Sequence, residues 1–188
     1  LGSTIRFGAA DVGGMYYPFA SAFTGLVAKD NADYQFEVKT TAGSAANLRL
    51  LSGGYIELGI AQNDFIDDAY SGTGIFKGKP YQGYKAIASL YPEACQIVVR
   101  ADSDIETLND LQGKTVSIGA EESGTENNAK QILKMSGLTS ELVTMVQLDY
   151  TEAADKLPPL RSGSCCRAVR IPRAKAGTDK AKGIIFSS

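Results

Sequence analysis

Histidine is absent from this chain. Without an imidazole, neither a Ser-His-Asp nor a Cys-His relay can be assembled, and no histidine metal site is available. Cysteine is scarce: Cys95, Cys165 and Cys166 make an odd count with no metal-ligand spacing. They read as free thiols and do not fix a redox compartment. No apolar run reaches the roughly 18 residues of a membrane-spanning helix. Net charge is small, −2 from 19 basic and 21 acidic residues scattered along the chain. A nucleic-acid surface calls for a clustered basic face, so no nucleic-acid partner is expected, nor attraction to an anionic membrane.

Nucleotide signatures are missing too. Gly8 and Gly13 have the spacing of a phosphate-binding loop, but Gly14 and Met15 stand where Lys and Ser/Thr are required. There is no G-x-G-x-x-G, and no G-x-S-x-G nucleophile elbow. No cofactor and no metal are expected. No leader pattern is visible; the chain opens at Leu1 without methionine, as it would if processing had removed one.

What remains is a chain of 188 residues with an ordinary apolar fraction of 44%. A chain of this size buries roughly 70% of its unfolded surface and needs no disulfide or metal to fold. "STIRFGAA" reads as a strand running into a glycine loop. "YYPFASAFTGLVAKD" follows with apolar residues at helical spacing, Phe19, Phe23, Leu26 and Val27, and Pro18 in the first turn. "YQFEVKTT" alternates as a strand does. Ser44 is an N-cap candidate for the helix of Leu48 and Leu51, ended by Gly53 and Gly54. "IELGIAQ" is a buried strand, "NDFIDDAYSG" a short helix, "YKAIASLYP" a fourth strand. A similar alternation follows through "CQIVVRAD", "TVSIGA", "NNAKQILKMSG", "SELVTMVQLD" and "YTEAADKL". Alternating strands and helices predict a parallel-rich α/β fold. The division falls near "LYPEACQ", giving lobe 1 over residues 1–92 and lobe 2 over 93–188.

Three Gly/Ser loops, 8–17, 40–47 and 120–127, each follow a strand and open a helix. Ligands of open α/β sheets gather at the carboxyl ends of strands, and helix N-termini there favour anions. The bland alternative for each loop is plain helix capping. Tyr16 and Tyr17 adjoin the first loop; one is expected in the core and the other on a pocket wall. Gln62 and Asp64 close the third strand, and the Gln62 amide can both donate and accept. Ser44, Ser123 and Thr125 add hydroxyls. The candidate ligand-binding set is Tyr16, Tyr17, Ser44, Asn47, Gln62 and Asp64 from one lobe, and Ser123, Gly124, Thr125 and Glu126 from the other. Gly124 is expected to let a ligand approach the backbone. Glu121 and Glu122 are expected to face solvent, and Glu126 to stabilise the helix start or bind a ligand ammonium group.

"GGMYYPFASAF", "TTAGSAANLRLLSGG", "ELGIAQND", "AIASLYPEACQIVVRADSDIETLNDLQGKTVSIGAEESGTE" and "AKQILKMSGL" together resemble the TAXI family. Its members are solute-binding proteins of tripartite ATP-independent periplasmic (TRAP) transporters. The resemblance runs from residue 5 to about 157. It implies a type II periplasmic-binding-protein fold: two α/β lobes joined by crossing strands, with a cleft between them. It also implies an extracytoplasmic receptor that hands glutamate, glutamine or a dicarboxylate such as 2-oxoglutarate to a membrane permease.

Two departures stand out. The first loop carries "AADVGG" where the family is richer in Gly and Thr. Residues 158–177, "PPLRSGSCCRAVRIPRAKAG", are basic and unlike the family's buried strand. Compensating frameshifts or a sequencing error would produce such a patch. "TDKAKGIIFSS" then resembles the family again. Family members are longer, so C-terminal truncation is expected, with an unpaired sheet edge and a poorly closed cleft. The leading expectation is a non-enzymatic receptor for a carboxylate-bearing or amino-acid ligand. The alternatives are the effector-sensing domain of a transcriptional regulator with the same two-lobe plan, and an α/β enzyme acting on an acidic substrate.

Overall fold

The computed structural model describes residues 3–156, 166–168 and 180–187, with side chains described as far as residue 156. The chain clusters into two units. One comprises Leu1–Pro92, Glu122–Gly124 and Lys180–Ser188; the other comprises Glu93–Glu121 and Thr125–Asp179. Two short pieces from beyond residue 92 therefore cluster with the first unit, a placement that a single cut at 92/93 does not anticipate.

The first unit is built on strand β1, Thr4–Gly8, followed by helix α1, Tyr16–Asp30. The helix buries Tyr16, Ala20 and Thr24, one residue per turn. This face is rotated from the expected one. Phe19 and Phe23 stack on each other at 6.2 Å and flank the contact, with Phe23 edge-on to Phe7 at 6.1 Å. Leu26 points outward, 62% exposed. Small Ala20, fully buried, is what meets the core of Phe7, Ala9 and Ile60, as close helix–sheet packing requires.

Strand β2, Gln35–Lys39, helix α2, Ser44–Ser52, strand β3, Leu58–Gln62, and helix α3, Asn63–Ser71, continue the alternation. Gly72 ends α3 in the left-handed region at φ 69°, where glycine carries no Cβ penalty. Strand β4, Tyr84–Glu93, completes this stretch. β1 pairs in parallel with both β2 and β3. A core of Leu48, Leu51, Ile56, Phe65 and Phe76 fills the space under α2 and α3.

In the second unit, strand β5, Val98–Arg100, pairs antiparallel with strand β8, Cys166–Ala168. Strand β6, Thr115–Ser117, lies parallel to strand β7, Thr144–Val146. Helix α4, Gly124–Met135, begins three residues earlier than the sequence pattern predicts. Helix α5, Tyr150–Asp155, starts on a reciprocal capping box between Asp149 and Glu152. Leu108, Leu111, Ile118, Ile132, Leu133, Leu138 and Val143 form this unit's core.

The final strand, β9, Lys180–Ser187, returns to the first sheet and runs antiparallel to β3. The sheet order is β2-β1-β3-β9-β4. β9 thus fills the position between β3 and β4, although the sequence reading assigned these residues to lobe 2. The unusual patch at 158–177 lies outside the described residues, apart from the backbone of β8. Cys95 is a free thiol, and burial pushes its pKa up.

Candidate functional site

β3 ends at Gln62, and its carboxyl end is where polar groups collect. Gln62 is 1% exposed. Its backbone N–H donates to Ser44 Oγ at 3.2 Å. Ser44 is the first residue of α2; Gly43, at φ 128°, is the N-cap, and no side chain caps this end. The expected N-cap role of Ser44 is thus replaced by a tie to β3. An accepting hydroxyl keeps its own proton to give, and Tyr16 Oη lies 3.4 Å away. Tyr16 takes the core role expected for one of the tyrosine pair, with its hydroxyl at Ser44. Tyr17 packs partly buried against the same core.

The Gln62 carboxamide occupies a space that exists because residue 124 is glycine. A Cβ built on Gly124 would lie 1.7 Å from Gln62 Oε1. The bare backbone of Gly124 therefore accommodates the Gln62 side chain. Gln62 Oε1 is buried and has no hydrogen-bond partner among the described residues. Ser123, 8% exposed, sits against Gly43, whose added Cβ would come within 3.1 Å of Ser123 Cα. Tyr16, Ser44, Gln62, Ser123 and Gly124 thus converge within the first unit.

Asn47 serves the scaffold. It is fully buried; Nδ2 donates to Gly8 O at 3.2 Å and Ile60 O at 2.8 Å, while Oδ1 accepts from Thr41 Oγ1 at 2.6 Å. Thr41 Oγ1 in turn accepts from Ala10 N–H at 3.1 Å. Ala10 has φ 55°, a left-handed conformation usually left to glycine. The loop written "AADVGG" keeps a glycine-like backbone there despite its alanine. Asp64 is half-buried in the first turn of α3, where a negative charge suits the helix dipole.

Thr125 and Glu126 belong to the second unit. Thr125 Oγ1 lies 2.6 Å from Tyr150 Oη. Glu126 is 8% exposed, and its Oε1 accepts from Lys130 Nζ and Gln147 Nε2, each at 2.6 Å. Its carboxylate already has two donors, which weakens the case for a ligand ammonium there. Glu121 is exposed, as expected. Glu122 is not turned to solvent: at φ 64° its side chain pairs with Arg49 Nη1 and its carbonyl accepts from Ala45 N–H at 3.1 Å. Arg49, Gln147 and Tyr150 escaped the sequence reading. Tyr150 had a local signal, the D-Y-T-E capping box that places it at a helix start. Arg49 and Gln147 had none, because their partners lie 73 and 21 residues away.

The fold is that of type II periplasmic-binding-protein-like α/β proteins. Within that class the chain belongs to the NMT1-like family, whose model matches residues 7–159. Among solved structures it is similar to the alkanesulfonate-binding protein SsuA from Xanthomonas axonopodis pv. citri bound to MOPS. The TM-score is 0.59 at 18% identity, over 98% of this chain and 65% of that one. The substrate-binding protein of an amino acid ABC transporter gives 0.60 at 15% identity, over 99% and 86%. The BenM effector-binding domain with benzoate gives 0.60 at 15%, over 98% and 83%. The chain therefore spans just under two thirds of the SsuA protein's length.

Proposed function

We propose that this chain receives a small carboxylate-bearing solute as the extracytoplasmic receptor of a TRAP transporter of the TAXI type. Family membership and fold support a solute-binding role, and the motif resemblance supports the TAXI subfamily and a membrane permease as partner. The carrying observation is the buried, unpartnered Gln62 Oε1 against Gly124, on a residue whose backbone N–H is tied to Ser44 Oγ, itself 3.4 Å from Tyr16 Oη. Hydroxyl donors suit a carboxylate, and an orphaned carboxamide oxygen calls for a donor. A solute with both, such as glutamate, satisfies the set better than 2-oxoglutarate, which has no ammonium. The reading is of a binder without turnover.

Titration calorimetry with glutamate and 2-oxoglutarate tests it. Glutamate is expected to bind about tenfold more tightly, the worth of one charge-assisted hydrogen bond. Recovery of both solutes unchanged after incubation is expected as well. Absence of binding by either solute overturns the carboxylate assignment. A second reading, an effector-sensing domain, is favoured by the likeness to the BenM domain, of which this chain covers 83%. Cell fractionation separates the two: the receptor belongs outside the cytoplasm, the regulator within it.

A further inference from the structure

We infer that Arg49 is a positioning residue that pins Glu122, and through it holds Ser123 and Gly124 against the first unit. Glu121 and Thr125, on either side, belong to the second unit, whereas Glu122–Gly124 belong to the first. Three consecutive residues are thus held by a different body from their flanks. The first of them, Glu122, adopts φ 64°, a left-handed conformation that side-chain-bearing residues rarely take unless their surroundings impose it.

The imposing groups are on α2. The Glu122 carboxylate meets Arg49 Nη1, and the Glu122 carbonyl takes the N–H of Ala45 at 3.1 Å, an amide with no partner inside the helix. Arg49 is itself set in place. Its guanidinium carbon lies 5.3 Å from the centre of the Phe76 ring and 5.6 Å from that of Tyr81. Arg49 Nε is buried without a hydrogen-bond partner, so Glu122 and the two rings are what offset the burial of this cation. An ordinary surface ion pair contributes little. This one differs because both side chains are only about one-third exposed, at 34% and 32%, and the same residue is held through its backbone. Beyond Glu122, Ser123 lies close on Gly43, where a Cβ would come within 3.1 Å of it, and Gly124 rests on Gln62 at a distance a Cβ would forbid. The functional meaning rests on the reading of the Gln62 cluster as the solute site; the pinning itself does not.

Hydrogen exchange of the Ala45 amide reports the pin directly and needs no ligand. In Arg49→Gln and in Glu122→Gln, Ala45 is expected to exchange about tenfold faster, while the Ile60 and Ala61 amides of β3 keep their protection. The double variant is expected to exchange no faster than either single one, since both remove one contact. Unchanged Ala45 protection in the single variants overturns the inference, as do two effects that multiply in the double variant. Loss of protection throughout β3 as well assigns the pair to general stability and also overturns it. Should Arg49→Gln not fold, Glu122→Gln alone decides by the Ala45 amide. Failure of glutamate and 2-oxoglutarate to bind would sink the proposed function and leave this result standing.

Discussion

Replacing Gly124 by alanine puts a methyl group into the Gln62 carboxamide. The added Cβ would lie 1.7 Å from Oε1, 2.4 Å from Cδ and 3.2 Å from Cγ of Gln62. The backbone is no obstacle, because Gly124 opens α4 and alanine favours helices by up to about 1 kcal/mol over glycine. The whole penalty must therefore come from Gln62. Its side chain is 1% exposed, so it has to leave its rotamer within a filled interior, which typically costs about 1–3 kcal/mol. Net of the helix gain, Gly124→Ala is expected to lose about 1–2 kcal/mol. The same substitution in a Gln62→Ala background should lose nothing or gain slightly, since the clashing atoms are gone. Urea unfolding followed by circular dichroism on the four proteins gives the coupling between the two sites. A penalty for Gly124→Ala that persists without the Gln62 side chain would refute the packing argument, as would a neutral single variant.

Asn47→Ala removes two donated bonds and one accepted bond from a fully buried position, and is expected to cost about 2–4 kcal/mol by urea unfolding. Asn47→Asp should cost more at neutral pH, because a buried carboxylate would face the carbonyls of Gly8 and Ile60; a milder effect than alanine would count against the bonding scheme. Burial, with smaller contributions from Tyr70 and Asp67, pushes the Tyr84 phenol up to about 12, and its hydroxyl donates to Ile66 O. The folded value lies above the ordinary one of about 10, so its stabilising contribution is complete below pH 10 and is lost as pH climbs toward 12. Tyr84→Phe should flatten that alkaline loss in denaturant titrations, and an unaltered pH profile would contradict it.

Much of this was legible in the residues. Strict alternation in "YQFEVKTT" and the apolar "IELGIAQ" mark β2 and β3, because a half-buried strand is apolar on one face and a buried strand on both. Gly54, Gly72 and Gly137 mark helix ends by their backbone freedom. Periodicity held only in part for α1: Phe19 and Phe23 pack partly buried against the core, but the fully buried line runs through Ala20 and Thr24, and Leu26 points outward. A hydrophobicity pattern weighs size, whereas a helix lying close on a sheet selects small residues at the contact. The place of β9 in the first sheet could not be read locally, since its partner β3 lies more than a hundred residues earlier. At the site, the sequence pointed to Ser44, Gln62 and Ser123 through their position at strand ends. Residue type alone did not foretell the protein contacts of Gly124 with Gln62 and of Asn47 with Gly8, Thr41 and Ile60.

The charges around these residues are largely spoken for by the protein itself. Arg49 pairs with Glu122 in the first unit, and Glu126 pairs with Lys130 while accepting from Gln147 in the second. The polar side chains of the Gln62 cluster are neutral: three hydroxyls and a carboxamide. A solute carboxylate held there would be stabilised by oriented dipoles rather than by an opposing full charge. Such a site discriminates by the geometry of donors and acceptors, because a misplaced polar atom leaves a buried partner unsatisfied. Geometry of that kind has to be fixed before the solute arrives. If the proposed solute site is the Gln62 cluster, each contact that holds Ser123 and Gly124 in place, from the bare Cα of Gly43 to the clasp on Glu122, would bear on solute choice as well as on how firmly the chain folds.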